Sequence, residues 1–408
     1  MPTNCIVNGS NGTAPGTSGR KVFIASAFRT PIGSITGALK GLKATDLAAI
    51  AIKKSYEDIQ LPIDAVQKVT VGQAIQAGSG QAPAKQALMK AGLPSNCRDC
   101  LINEVCASGM QAIIMSLKEI KYGEADCLIA AGMESMSNVP NYQDRNPPLL
   151  GGFKVEDGLI LDGLTDTFNK CHMGHCAEHT AKKYNITRED QDAYAIESYR
   201  RAKVATESGV LRKEICPVTI VGGRNKPPTL VSDDEEYKKL DVDKVRTLNP
   251  CFNRESGTIT AANASTLSDG AAACVLMSSE ALEKYNAKPL AELISYGEGA
   301  CDPIDFATSP VDAIRAALKK AGLTKDDISL WEVNEAFSVV SLAIMKELEL
   351  DHNKLNVNGG GVSIGHPLGM SGIRVVNTLA HQLEPGQYGC AAICRGGGGS
   401  AAMIVRKL

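Results

Sequence analysis

The sequence predicts an α/β fold made of two related halves, in which mixed sheets are covered by helices. Short buried strands alternate with amphipathic helices along most of the chain, and the order of elements near its start is repeated near its end. The stretch 140–258 differs from both halves because it contains Pro-rich turns and a run of charged residues. We interpret it as an inserted loop domain. A chain of 408 residues with 44% hydrophobic content is long enough for this arrangement.

The first half is predicted to span 21–139 and to be completed by about 259–285. Its apolar runs indicate strands at 21–26, 66–71, 101–105 and 127–131. Apolar residues with helical spacing follow Cys106 and stop before Gly123, so Cys106 is expected at a strand-to-helix junction. A helix N-terminus lowers the pKa of a nearby thiol, and we therefore expect a nucleophilic thiolate there.

The second half, 286–408, repeats this order. Its patterns predict strands at 290–296, 328–333 and 391–394, and helices at 311–320 and 373–383. Asn334 follows one of these strands, and Cys394 ends another. Ligands of open parallel sheets usually bind beyond the carboxyl ends of the strands, so we expect the functional site where Cys106, Asn334 and Cys394 meet.

The inserted domain, 140–258, contains one clear helix, which starts after Thr187. Thr187 is a suitable N-cap, and Asp190 lies at the reciprocal position of a capping box, where Glu or Gln is more usual. We interpret the charged face of this helix as a solvated surface.

Composition and charge restrict the partners. Lys and Arg number 43 and Asp and Glu 45, so the basic excess needed for binding nucleic acid or an anionic membrane is missing. No apolar run approaches the roughly 20 residues of a membrane-spanning helix. Residues 1–20 lack the apolar core of a secretory signal and are interpreted as a flexible leader, so secretion is not expected. The odd number of 13 cysteines favours a reducing compartment, mitochondrial or cytoplasmic.

Three small-residue segments carry groups suited to acyl transfer: Cys106 in 103–109, His366 in 358–369 and Cys394 in 392–399. One thiolate can hold an acyl group, the imidazole can activate it, and the second thiol can move a proton at carbon. The glycines after Cys394 leave backbone N–H groups free for an oxyanion. A single cysteine is more often an inert buried thiol, and a glycine-rich segment can also bind phosphate. The hypothesis of acyl transfer therefore depends on the combination of all three segments.

These three segments, their order and Asn-Glu-Ala-Phe at 334–337 resemble the thiolase family, over nearly the whole chain after the first twenty residues. The resemblance implies an enzyme that makes or breaks a carbon–carbon bond between coenzyme A thioesters. Within the family, 260–267 resembles the potassium-responsive acetoacetyl-CoA thiolases of mitochondria. That likeness implies reversible condensation of two acetyl-CoA molecules to acetoacetyl-CoA and CoA. The alternative is a thiolase for longer or 2-methyl-branched 3-ketoacyl-CoA, because the catalytic residues handle only the thioester and the α-carbon.

The resemblance implies a role for each catalytic residue. Cys106 is expected to be acetylated, His366 to help deprotonate it, and Cys394 to remove or return the α-proton. One oxyanion hole is expected from His366 and a water held by Asn334, and a second from the backbone N–H groups of Cys106 and Gly396.

The same resemblance implies ligand contacts but no prosthetic group. Coenzyme A is expected at His172, Met173, Tyr199, Ser265, Ala336 and Phe337, with its nucleotide end near Leu240, Asp241 and Lys244. A potassium ion is expected at Tyr199, Ala261, Ala262, Ala264 and Val362. The family also implies a homotetramer made of two dimers.

Two features depart from these expectations. Arg395 stands where relatives more often carry Asn or an apolar residue, and its charge would lower the pKa of Cys394 unless the side chain points away from the thiol. The stretch 171–176, with His179 nearby, offers thiols and imidazoles for zinc, but its spacing fits no standard zinc finger, so we do not interpret it as a metal site.

Two other functions were weighed on the same residues. A β-ketoacyl synthase would share the fold and the active-site cysteine but would normally supply a second histidine where Cys394 stands. A non-enzymatic binding protein or scaffold on this fold would be expected to have lost Cys106, His366 or Cys394, and all three are present.

Overall fold

The computed structural model describes residues 19–146, 148–222 and 227–408. Most of the predicted leader, 1–20, therefore lies outside the described residues. Within the described ranges, no helix is both long and apolar enough to cross a membrane.

Strands and helices alternate through both halves. The strands are β1 (Val22–Arg29), β2 (Gly33–Ser34), β3 (Lys68–Gly72), β4 (Arg98–Ile102), β5 (Cys127–Ser135), β6 (Asn141–Gln143), β7 (Val155–Asp157), β8 (Thr165–Asp166), β9 (Cys171–His172), β10 (Val218–Ile220), β11 (Thr229–Val231), β12 (Ser268–Ser278), β13 (Ala291–Ala300), β14 (Ile328–Val333), β15 (Tyr388–Arg395) and β16 (Gly399–Lys407). The α-helices are α1 (Ala44–Asp58), α2 (Pro83–Lys90), α3 (Ser108–Lys121), α4 (Met173–Tyr184), α5 (Arg188–Glu207), α6 (Val242–Val245), α7 (Ser279–Tyr285), α8 (Pro310–Ala321), α9 (Ser338–Leu348), α10 (Gly361–Ile364) and α11 (Leu368–Gln382).

The two halves share one strand order. In the first, the order is β4-β3-β5-β12-β1, and in the second β14-β15-β16-β13. A parallel bridge from Trp331 to Leu355 takes the place of a fifth strand beside β14. In both halves the outer pairs are parallel and the inner pairs antiparallel, which confirms the predicted α/β class with mixed sheets. The halves join where β1 pairs with β13.

Helices α3 and α11 pack against each other between the sheet halves and bring two functional loops together. Their contact depends on glycine, because a Cβ on Gly372 would lie 2.2 Å from the Met110 nitrogen and one on Gly109 would lie 2.7 Å from the Gly369 carbonyl oxygen. Each helix begins two residues after a chemically important side chain: α3 after Cys106 and α11 after His366. Close helix packing therefore fixes the distance between the thiol and the imidazole.

Several elements differ from the sequence prediction. Strand β4 ends at Ile102, because the Asn103 side chain accepts from the Val105 N–H at 3.0 Å and turns the chain early. The inserted region has two long helices rather than one, since α4 precedes α5. Thr187 and Asp190 form the predicted capping box of α5. Strand β12 was missed because its small residues show no alternation, as expected for a strand buried on both faces.

Candidate active site

A cavity of about 510 Å³ opens between the two halves and the inserted region. Cys106, His366 and Gly396 lie on its wall, together with apolar residues from the inserted region such as Met173. Cys394 and Asn334 are fully buried immediately behind this wall. The fold thus brings the three predicted catalytic segments to one end of a single cavity.

Cys106 follows a strained turn. The preceding residue, Val105, has φ of 48°, a left-handed conformation that β-branched residues rarely adopt. Asn103 holds the turn from one side by donating to the Ala74 carbonyl at 2.9 Å. Ser108 holds it from the other, because its Oγ accepts from the Glu104 N–H at 2.9 Å and donates to the Val105 carbonyl at 2.6 Å. The strained turn presents the Cys106 thiol to the cavity.

The backbone N–H groups of Gly396 and of Cys106 itself lie near the Cys106 sulfur and act to lower the pKa of its thiol. Burial nevertheless raises the pKa of the Cys106 thiol to about 12, against the lowering effect of these N–H groups and of Arg395. Desolvation thus opposes the lowering expected from a helix N-terminus and outweighs the backbone dipoles. The same two N–H groups are those expected from the sequence to bind an oxyanion.

His366 is buried and held by two neighbours. Its Nδ1 lies 2.6 Å from Ser371 Oγ, and Ser371 donates its own proton to the Pro367 carbonyl at 2.9 Å. Nδ1 then carries the proton and donates it to Ser371, so the basic lone pair is on Nε2. Nε2 lies 3.3 Å from Asn334 Nδ2. Burial lowers the pKa of the imidazole to about 3, and the charge of Arg374 acts in the same direction, so His366 is neutral near pH 7.

Cys394 occupies the end of β15, beside both Cys106 and the glycine loop. Burial raises the pKa of its thiol, and negative charge on Cys106 would raise it further. Arg395 does not act on Cys394 as the sequence suggested. Its side chain turns away to Glu104, 2.7 Å away, and its charge lowers the pKa of Cys106 instead.

Sequence reasoning missed two polar residues that hold the site. Ser371 lies one helical turn into α11, and its spacing from His366 was the available signal. Glu134 ends β5 and accepts from the N–H groups of Ala74 and Gly369, both at 2.9 Å. Burial raises the pKa of Glu134 to about 7. Glu134 therefore fixes the start of α11 to the first half, directly behind the catalytic loops.

Five of the six residues expected to contact coenzyme A along its arm line the cavity: His172, Met173, Ser265, Ala336 and Phe337. The sixth, Tyr199, does not, because it is buried against Val362 instead. Packing contacts and hydrogen bonds to the backbone fix their positions. The His172 ring stacks on Phe252 with 4.7 Å between ring centroids, and its Nδ1 accepts from the Gly174 N–H at 3.0 Å. The Ser265 N–H donates to the Ala336 carbonyl at 3.0 Å. These side chains give the channel a largely apolar wall.

The residues expected near the nucleotide end do not line this cavity. Asp241 and Lys244 are exposed and pair with each other at 2.7 Å, and Leu240 packs beside them against Tyr199 and Val362. The preceding residue, Lys239, does lie on the cavity wall, where it pairs with Glu236 at 3.1 Å. Lys239 is a further cation that sequence reasoning missed.

The residues expected to hold potassium fall into two groups, and both groups contact α5. Tyr199 packs on Val362, and the turn containing Ala261, Ala262 and Ala264 is tied to α5 by Asn263, which donates to Asp192 at 2.9 Å. Within the described ranges, the carbonyl oxygens of that turn's three alanines accept no hydrogen bond. Free carbonyl oxygens and a tyrosine hydroxyl are a donor set that fits an alkali cation.

Comparison with known proteins gives concordant matches. The thiolase N-terminal domain matches residues 22–280, and the thiolase C-terminal domain matches residues 287–407. The chain is similar to the mitochondrial acetyl-CoA acetyltransferase of Bos taurus, with 53% identity over 95% of this chain and 92% of that protein. It is also similar to the mitochondrial acetyl-CoA acetyltransferase of Homo sapiens, with 51% identity over 95% of this chain and 91% of that protein.

Two solved structures share its fold. The Acat5 thiolase of Ascaris suum, in complex with coenzyme A, has a TM-score of 0.92 and 46% identity, covering 95% of this chain and 100% of the other. Human mitochondrial 3-ketoacyl-CoA thiolase has a TM-score of 0.91 and 36% identity, covering 95% and 99%.

Proposed function

The chain belongs to the thiolase family, and we propose that it is an acyltransferase that joins two acetyl-CoA molecules into acetoacetyl-CoA and CoA, and catalyses the reverse cleavage. The observation that carries this proposal is the convergence of the Cys106 sulfur, the Gly396 N–H and the His366 imidazole at the end of one apolar cavity. The 51–53% identity to the human and bovine acetyl-CoA acetyltransferases supports the choice of substrate.

In the first half-reaction, the Cys106 sulfur attacks the thioester carbonyl of acetyl-CoA while His366 Nε2 accepts the thiol proton. The bond from carbon to the CoA sulfur then breaks, and Cys394 donates its proton to the departing thiolate. Both cysteines begin as neutral thiols, in agreement with their raised pKa values. The products are acetyl-Cys106, protonated His366, a Cys394 thiolate and free CoA.

In the second half-reaction, the Cys394 thiolate takes a proton from the α-carbon of a second acetyl-CoA. The resulting carbanion attacks the carbonyl of acetyl-Cys106 and forms the new carbon–carbon bond. The Cys106 thiolate leaves and recovers its proton from His366, which returns all three side chains to their starting states. The N–H groups of Cys106 and Gly396 stabilise the oxyanion on the acetyl group, and His366 with a water on Asn334 stabilises the enolate oxygen.

Coenzyme A is placed with its pantetheine arm along His172, Met173 and Phe337. The arm is apolar apart from its amides, and the wall it would follow is largely apolar as well. Lys239 supplies a cation on the cavity wall for the charged end of the ligand, with Leu240, Asp241 and Lys244 beyond it. Potassium bound at the unpaired carbonyls of Ala261, Ala262 and Ala264 would order the turn that also carries Ser265.

The assembly and compartment are extensions of the same proposal. A homotetramer is supported by edge strand β4, where Leu101 and Ile102 are only half-buried at the free edge of the sheet. A mitochondrial location is supported by the names of the similar bovine and human proteins.

The test is CoA-dependent cleavage of acetoacetyl-CoA, measured in potassium and in sodium for the native protein and for Cys106→Ala. We expect turnover in the native protein, stimulation by potassium and loss of activity in the variant. The 2-methyl derivative and a long-chain homologue serve as comparison substrates. Preference for either would keep the family and reject the substrate, whereas inactivity on every 3-ketoacyl-CoA would reject the enzymatic proposal.

A further inference from the structure

Three side chains that could bind a thiophilic metal ion lie close together beside the cavity, outside the catalytic residues. In the hairpin formed by β8 and β9, Asp166 lies directly opposite Cys171. Cys176 reaches the same point from the first turn of α4. The ligand atoms of the three residues all lie within 4.8 Å of one another. The spacing within 171–179 fits no standard zinc finger, but the hairpin adds a third ligand, Asp166, from outside that stretch.

The spacing of these atoms matches a zinc site. With Zn–S bonds of about 2.3 Å and tetrahedral angles, two thiolates on one zinc lie about 3.8 Å apart. The sulfur atoms of Cys171 and Cys176 are 3.8 Å apart, and Cys176 Sγ is 3.8 Å from Asp166 Oδ2. A single cation between them would therefore reach all three ligands with small side-chain adjustments.

Neighbouring groups hold the Asp166 carboxylate in an orientation suited to a metal ligand. Asp166 is buried, and its two oxygens accept from the Phe168 N–H at 3.0 Å and from Asn169 Nδ2 at 2.6 Å. Such outer contacts orient metal ligands in proteins. Cys176 is fully buried, whereas Cys171 is half-buried and leaves a path for an ion and for a water as fourth ligand.

The three histidines of the same stretch contact other groups: His172 stacks on Phe252, His175 lies edge-on to the same ring with 5.8 Å between centroids, and His179 contacts Asp305 at 3.2 Å.

We propose that Asp166, Cys171 and Cys176 form a binding site for a thiophilic divalent cation, with zinc as its representative. The site is structural rather than catalytic, since it joins the β8–β9 hairpin to the first turn of α4. One of its ligands, Cys171, directly precedes His172 in the chain. Because His172 and Met173 lie on the cavity wall, a bound ion would stiffen that wall. The proposal does not depend on the acyl-transfer function, and its readouts are independent of activity.

The experiment measures zinc and cobalt binding to the reduced full-length protein in a Cys106→Ala background, which removes the catalytic thiol as a competing ligand. We expect one tightly bound zinc per chain, a thiolate-to-cobalt charge-transfer band and a higher melting temperature with zinc. Cys171→Ser and Asp166→Asn should each weaken binding at least tenfold. Cys171 is half-buried, so its variant is expected to fold.

The matched control is Cys97→Ser. Cys97 and Cys100 are another closely spaced pair, three residues apart, but their sulfurs donate to backbone carbonyls rather than facing each other. This variant should therefore bind zinc as tightly as the background protein. Three results would overturn the proposal: no stoichiometric zinc in the background protein, unchanged binding in Cys171→Ser, or a cobalt complex without the charge-transfer band.

Discussion

Arg395 and Glu104 form an ion pair, with 2.7 Å between Nε and Oε2, that joins the strand end after Cys394 to the turn before Cys106. Arg395 Nη1 also donates to the Gly396 carbonyl at 3.1 Å. One guanidinium thus contacts both segments whose backbone N–H groups meet at the Cys106 sulfur. Because the pair is partly exposed, it should matter more for the geometry of the site than for the stability of the fold.

Breaking this ion pair should lower kcat and leave KM nearly unchanged. An exposed pair contributes about 0.2–1 kcal/mol, which corresponds to roughly a 1.4- to fivefold loss of kcat in Glu104→Gln or Arg395→Gln. The two changes should not add in the double variant, because each removes the same contact. Steady-state kinetics of the four proteins checks this. Lys54→Gln, which breaks an ion pair with Asp58 away from the cavity, is the control. Fully additive losses would show that the pair does not act as a unit.

Alkylation of Cys106 should rise with pH without a plateau in the neutral range. The pKa of its thiol is raised to about 12, so the thiolate fraction at pH 7 is small and increases about tenfold per pH unit. Because the pKa of His366 is lowered to about 3, its titration adds no step to the alkylation rate in the neutral range. Peptide mapping after iodoacetamide treatment from pH 6 to about pH 10 measures the rate at Cys106 itself. A plateau near pH 7 would mean that the free protein already holds a thiolate.

Ser371→Ala should reduce kcat by about 10- to 100-fold, the usual effect of losing an outer partner of a functional histidine. The Ser371 hydroxyl keeps the proton on His366 Nδ1, and without it the other tautomer would place a proton on the catalytic Nε2. Single-turnover acetylation of Cys106 measures the affected step. Ser116→Ala is a suitable control because this buried serine of α3 has no hydrogen-bond partner among the described residues. Equal effects of both variants would assign the loss to general destabilisation.

Gly372→Ala should both destabilise the protein and impair catalysis. The added Cβ would lie 2.2 Å from the Met110 nitrogen, so α11 must move away from α3 at a cost of about 1–3 kcal/mol. That movement separates His366 from Cys106. Urea denaturation and acetoacetyl-CoA cleavage give the two readouts. Gly41→Ala is the control, since no atom lies within 4 Å of a Cβ there. Full activity and stability in Gly372→Ala would contradict the packing argument.

The sequence by itself determined the class of fold, the repeat and the identity of the reactive groups. Helical and strand periodicities are local properties, and the prediction of β14 at 328–333 agrees with the structure residue for residue. The order of Cys106, Asn334, His366 and Cys394 was sufficient to indicate the thiolase family, which the family matches confirm. Strand β12 was not predicted from the sequence, because burial on both faces removes the alternating pattern of apolar and polar residues.

Only the tertiary structure decided the electrostatic state and the supporting contacts of the site. Desolvation outweighs the helix N-terminus at Cys106, and burial depends on how distant segments pack rather than on local sequence. Arg395 could not be assigned to Glu104 from a separation of nearly three hundred residues, nor Glu134 to the N–H of Gly369. Residue types and their order are properties of the sequence, whereas distances, burial and charge partners are set only when the chain folds.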